Sequence, residues 1–130
     1  MTESGHGRNL PQFLGVTIHE VEFGFARGRF EIHPQHIAPN GYLHAASVIA
    51  LADTACGFGC MRSMPEGARS FTTIELKSNF LGTATGGTVF CEARLIHGGR
   101  TTQLWDATVT RDSDAKTIAL FRCTQLILYR

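Results

Sequence analysis

The longest apolar run, AASVIALADTACGFGCM at residues 45–61, carries no polar stripe of helical period, and its one charged side chain, Asp53, stands near its middle. On a helix from His44 to Met61 the Asp53 face would hold Ala46, Ile49, Ala50, Cys56, Gly57 and Cys60. The opposite face would hold Ser47, Val48, Leu51, Thr54, Ala55 and Phe58. Neither face suits water, so the helix is expected to be wrapped by protein. Beyond it the period changes from that of a helix to that of strands. Runs at residues 70–81, 87–97, 101–111 and 117–129 are rich in Thr, Val, Ile and Phe, with Ile74, Leu76 and Phe80 expected on one face with Thr72 and Ser78. The separators GTATG, GG and DSDAK predict antiparallel pairing of successive runs through short turns. Ahead of the helix, residues 9–16 suggest a helical turn packing Leu10, Phe13 and Leu14, and residues 17–32 a hairpin with Arg27-Gly28 near its turn. HPQHIAPNGYL, at residues 33–43, reads as a loop because it holds two Pro and an Asn-Gly pair. A long sheet curled around one central helix answers both the helix's missing polar face and the one-sided strands, which makes the chain α+β.

Length adds one constraint: 130 residues suffice for one domain, expected over residues 9–130 behind a flexible tail at 1–8. The formal charge of +1 comes from 12 Lys and Arg scattered among 11 Asp and Glu, which leaves no footprint for nucleic acid. Residues 45–61 fall short of the ~20 apolar residues of a membrane span, and the N-terminus has no apolar leader, so a cytoplasmic protein with no membrane partner is expected. Cys56, Cys60, Cys91 and Cys123 read as buried free thiols. His33, His36 and His44 cluster before the helix without metal-ligand spacing, so no metal is expected.

That leaves Asp53. An ionised carboxylate in apolar surroundings is costly unless it is paired, hydrogen-bonded or put to chemical use. A structural Asp53 would satisfy buried backbone donors; a functional one would act as a base or nucleophile.

The helix GYLHAASVIALADTACGFG, the following SFTTIELKSNFLGTA and the later turn HGGRTT together resemble the hot-dog fold acyl-CoA thioesterases. The branch they resemble is that of the phenylacetic acid degradation and 4-hydroxybenzoyl-CoA thioesterases. The most specific piece is His36, Gly41, Leu43-His44 and a carboxylate nine residues after that His, Asp53. The resemblance implies a hot-dog fold and hydrolysis of a small acyl-CoA, aromatic or of short or medium chain, to an acid and coenzyme A. No separate cofactor is implied, since coenzyme A is part of the substrate. Asp53 would be nucleophile or general base, and Ala45, where the family usually has Gly, would offer its backbone N–H to the thioester carbonyl. Ala38 stands where members often carry Asn or Gln, and Asn40 is expected to supply that amide from a shifted loop. Thr73 matches a strand hydroxyl that some members offer from the neighbouring subunit. Gly41 and Gly57 join the substrate-binding set. Gly99, Arg100 and Thr101 match positions that often contact the nucleotide end of coenzyme A, or else form only a hairpin turn, with Arg62, Arg69 and Lys77 as further phosphate candidates. His44 is open to two readings, a helix-start residue bonding local backbone and a proton shuttle. Phe58, Phe71, Phe80 and Trp105 are expected in the core rather than in an acyl pocket.

Helix geometry bears on the implied site. Eight residues separate Ala45 from Asp53, about 12 Å along a helix rising ~1.5 Å per residue, so one thioester cannot reach both on the same helix. If both act on one substrate they come from two chains, which predicts a homodimer, or a dimer of dimers, with acyl-CoA as the other partner. Two alternatives remain: a hot-dog hydratase or dehydratase, one pattern of which would need Asp where Pro39 stands, and a non-catalytic acyl-CoA-binding module.

Overall fold

The computed structural model describes residues 9–130, and the tail expected at residues 1–8 lies outside them. The elements run α1 (Leu10–Phe13), β1 (Thr17–Glu22), β2 (Phe25–Glu31), α2 (Ala45–Arg62), β3 (Ser70–Phe80), β4 (Thr88–Gly98), β5 (Thr102–Arg111) and β6 (Thr117–Leu128), with a 3₁₀ turn at Pro34–His36. The strands form one six-stranded sheet ordered β1-β2-β4-β5-β6-β3, antiparallel throughout. Helix α2 touches all six strands. Six strands spaced ~4.8 Å apart are wider than a helix of ~10–12 Å, so every strand can reach α2 only because the sheet curls around it. This is the α+β arrangement that the two periodicities imply, and the hot-dog fold that the resemblance implies.

The core lies between α2 and the concave face. Ala119, Phe121, Cys123, Gln125 and Ile127 of β6 are buried while Leu120 and Arg122 are exposed, the alternation of a strand with one dry face. Trp105 fits because the facing helical residue is Gly59, where a Cβ would lie 2.4 Å from the indole. All four cysteines are buried free thiols. Among the described residues no helix is long and apolar enough to cross a membrane.

Several local expectations change. The β1–β2 turn falls at Phe23-Gly24, where Gly24 has φ +78°, and not at Arg27-Gly28. Gly28 is instead mid-strand, a glycine because a Cβ there would come within 2.5 Å of Ile18. Leu14 is buried, but Leu10 and Phe13 of α1 are exposed. Strand β3 does not pair with its successor β4; it crosses to the far side and pairs with β6, leaving its other edge free. A bulge between Thr73 and Glu75 reverses its alternation, so Phe71, Thr73, Leu76, Ser78 and Phe80 lie opposite the buried residues of β6, while Thr72 and Ile74 leave that face. Finally, α2 is wrapped on only part of its circumference: Ala46, Phe58 and Met61 are exposed, because the β3 edge of this chain stops short of covering them.

Candidate active site

Both ends of the candidate chemistry are carried by α2. The helix starts at Ala45 because His44 caps it with extended backbone, its Nδ1 accepting the Ala46 N–H at 2.9 Å. The Ser47 N–H donates to the His44 carbonyl. The Ala45 N–H between them has no acceptor among the described residues. Ala45 lines a groove with Asn40, Tyr42, His44 and Phe80. The loop forming this groove is clamped by buried His36, whose Nδ1 accepts the His33 N–H (2.9 Å) and whose Nε2 therefore donates to the Leu14 carbonyl (2.7 Å). The His36 carbonyl in turn accepts from the His44 N–H and the Ser47 hydroxyl, which ties loop to helix. Gly41 turns the loop at φ +90°, and Asn40, which lines the groove, accepts the Tyr42 N–H through Oδ1 at 3.1 Å.

Two turns along, half-buried Asp53 lines a second groove with Thr54, Gly57, Phe58, Met61 and Phe71. Among the described residues it has no cationic partner. Thr73 of the chain's own β3, and not of a neighbouring subunit, donates to Asp53 Oδ1 at 2.9 Å. Burial pushes the Asp53 carboxyl above its ordinary value, and the Thr73 hydrogen bond pulls part of the way back. The Asp53 groove and the Ala45 groove share no residue. One groove sets a carboxylate beside apolar walls, and the other sets a donor without an acceptor among the described residues at a helix N-terminus.

This geometry agrees with what the chain is similar to. Residues 40–118 match the Thioesterase superfamily. The chain belongs to that family. It is 32% identical over 115 residues, 88% of its length and 92% of the relative's, to a 1,4-dihydroxy-2-naphthoyl-CoA hydrolase of Listeria monocytogenes. A thioesterase enzyme of Staphylococcus aureus superposes with a TM-score of 0.86 at 28% identity, over 91% of this chain and 97% of that one. The PaaI protein of the Escherichia coli phenylacetic acid degradation operon shares the fold, with a TM-score of 0.82 at 24% identity over 91% and 83% of the two chains. The protein is thus a thioester hydrolase.

In this thioesterase the remaining predicted residues divide by position. Gly57 faces Phe71, where a Cβ would come within 2.8 Å of the ring, so it shapes the Asp53 groove. Gly99, Arg100 and Thr101 form the β4–β5 turn and belong to neither groove; Arg100 is exposed above the Tyr129 ring. Arg69, whose N–H donates to the Leu128 carbonyl, lies at the same end of the sheet, and Arg62 ends α2 there. Lys77 is corrected: it sits opposite Arg122 on the outer face, away from both grooves. The aromatic assignment is corrected too. Trp105 is core and Phe71 packs against the core while also walling the Asp53 groove, but exposed Phe58 lines that groove and exposed Phe80 the Ala45 groove, because they occupy the uncovered side of α2 and the edge strand. Sequence reasoning missed Gln125, fully buried and within 2.8 Å of Thr73 Oγ1. Its signal was a polar residue at a core position of the alternating β6 strand.

Proposed function

We propose that the protein hydrolyses an acyl-CoA with an apolar, ring-sized acyl group, in a site completed by two chains. The observation that carries the reading is the pair of grooves on one helix, one holding Asp53 and the other an Ala45 N–H without an acceptor, with no residue in common. A free apolar edge strand supplies the means of joining them. Strand β3 ends near Asp53 at Phe71 and near Ala45 at Phe80, so antiparallel pairing of two β3 edges about a two-fold axis brings each Asp53 groove to its partner's Ala45 groove. It would also cover Leu76 and Phe80, which one chain leaves exposed.

In that site the thioester carbonyl oxygen accepts the Ala45 N–H, whose position at a helix N-terminus favours the negative charge of the tetrahedral intermediate. Ionised Asp53 either attacks the carbonyl carbon, forming an acyl-Asp53 anhydride that a water molecule then hydrolyses, or takes a proton from a water molecule that attacks in its place; either route expels the coenzyme A thiolate and ends in free acid. The walls Phe58, Met61 and Phe71 support an apolar acyl group, and the Listeria relative is named for an aromatic one. The exposed Arg62, Arg69 and Arg100, none ion-paired among the described residues, suit the coenzyme A phosphates. Asn40 is the side chain available to orient the carbonyl or a water from the loop.

The test is thiol release from a panel of acyl-CoA thioesters by wild type and Asp53→Ala. Aromatic thioesters should turn over fastest, and the variant should stay folded and dimeric while losing at least ~10²- to 10⁴-fold in kcat. Undiminished kcat in Asp53→Ala would refute the site.

A further inference from the structure

Thr73, Gln125 and Gln103 lie in one row across β3, β6 and β5, facing α2. Gln103 is satisfied at both ends: its Nε2 donates to the Ser63 carbonyl and its Oε1 accepts the Trp105 Nε1–H, each at 2.8 Å. That amide pins the end of α2 to the sheet. Gln125, equally buried, has a single strong neighbour, Thr73 Oγ1 at 2.8 Å; its other end meets only Cys123 Sγ at 3.4 Å. Thr73 Oγ1 is also 2.9 Å from Asp53 Oδ1.

One hydroxyl proton therefore stands between two groups. With the Gln125 carbonyl end toward Thr73, as placed, and Asp53 ionised, both neighbours can only accept, and one contact opposes lone pairs. The oxygen and nitrogen ends of an amide have the same shape, so the hydrogen-bond network decides between them. Turned over, every group is matched: the Cys123 thiol donates to the Gln125 oxygen, the Gln125 amide donates to Thr73 Oγ1, and the Thr73 hydroxyl donates to Asp53.

We propose that Gln125 is a positioning residue for the hydrolysis, its buried amide donating to Thr73 and so committing the Thr73 proton to the Asp53 carboxylate. The inference rests on the reading of Asp53 given above. The groups packed around the relay leave it little competition. Cys56 on α2 has its thiol pushed well up by the neighbouring Cys123 and by burial, and Cys91 on β4 is pushed up to about 12 by burial, so both stay protonated while Asp53 titrates. The inward positions of β1, β2 and β5 hold no titratable side chain; Ile18, Ala26, Phe30 and Trp105 stand there. The relay is therefore the one polar support the carboxylate has among the described residues.

The experiment is the pH profile of kcat/KM for the full chain with Gln125→Met, a near-isosteric change that removes the donor, beside wild type and Asp53→Ala. A lost hydrogen bond of ordinary strength should raise the acid limb by about half to one pH unit, cutting kcat/KM roughly three- to tenfold at pH values below the wild-type limb, with a smaller change on the plateau. In a Thr73→Val background the same change should move the limb no further. An unmoved or lowered limb in Gln125→Met, with Asp53→Ala still inactive, would overturn the relay and leave the Asp53 reading standing. Full activity in Asp53→Ala would instead remove the reading on which the relay rests. Should Gln125→Met fail to fold, the side-chain amide protons of Gln125 in wild type give the same answer by NMR. They should titrate together with the Asp53 carboxyl, and resonances indifferent to that titration would overturn the proposal.

Discussion

On its sheet side α2 meets Trp105 across Gly59, and Leu51, Ala52, Ala55 and Cys56 lie buried against the strands, with the helix end held by Gln103 on the Ser63 carbonyl. On its other side Asp53, Phe58 and Met61 line an open groove, and Ala45 presents a donor with no acceptor among the described residues. The first side is close-packed and polar-satisfied, as an interior must be. The second keeps apolar surface uncovered and polar groups unmatched, which a chain tolerates only where something else completes the contact. One helix thus separates the residues that make the fold from those on which the proposed chemistry rests, and substitutions on the two sides should fail in different ways.

After loss of the carboxylate itself, the sharpest break on the open side is Ala45→Pro. Ala45 is the first helical residue, where proline's missing N–H and fixed φ are tolerated, and His44 already has the extended backbone that a residue before proline prefers. The substitution removes one hydrogen-bond donor and little else. If that donor serves the oxyanion, kcat should fall about 10²- to 10³-fold with the fold intact. Mixing Ala45→Pro with Asp53→Ala protomers tests the shared site directly. Each mixed dimer would hold one doubly defective site and one intact site, so random exchange should recover roughly a quarter of wild-type activity, measured by thiol release. No recovery after verified exchange would mean that both groups act within one chain.

Next in size is Leu76→Lys. Leu76 lies on the α2-facing side of β3, exposed at the free edge. A charge there should favour monomers, since like charges would meet across the two-fold, and activity should fall in proportion to the dimer lost on a light-scattering column. A variant that stays dimeric and active would move the interface elsewhere.

How much of this could be read from the chain follows the same division. Helix α2 and the boundaries of β3 to β6 were legible because burial imposes a local period on the residues that meet the core. The pairing of β3 with β6 was not, because partner choice is set by how the sheet closes around α2 and leaves no mark in the separators. The bulge at Thr73 was equally silent, and it reversed the expected face of Ile74. Asp53, Ala45 and Asn40 stood out because a charge, a helix start and a turn each break a pattern, and the family resemblance joined them. The groove positions of Phe58 and Phe80 were not legible, since an aromatic at a helix or strand position looks the same whether its own chain or another covers it. Gln125 was visible in principle, as the one strongly polar residue at the core positions of β6, yet only the distance to Thr73 gives it a purpose.

On the packed side Gly59→Ala should act on stability and not on chemistry. The added Cβ would lie 2.4 Å from Trp105, which is fully buried and tethered through Nε1 to Gln103, so neither can give way cheaply. Overpacking of this kind costs ~1–3 kcal/mol, offset in part by alanine's better helix propensity of about 1 kcal/mol. Denaturant unfolding should show a net loss with the plateau rate and the acid limb unchanged in the folded fraction. Unaltered stability would mean that the close approach of α2 to the sheet is slack.

The smallest effect expected is a gain, from Asp53→Asn. Burial raises the Asp53 carboxyl above its unfolded value, so between the two the folded chain holds the proton more often than the unfolded chain does. Stability must then fall as pH rises through that window, with the loss complete above the raised value. Asparagine keeps the shape without the charge, so the variant should lack this component and match or exceed wild-type Tm at neutral pH, the two curves converging as the solution is made acid. The sign separates the two sides of α2 once more: a group kept for packing leaves the protein weaker when neutralised, whereas one kept for catalysis leaves it at least as stable and inactive. A neutral-pH Tm clearly below wild type would place Asp53 among the residues that hold the fold together.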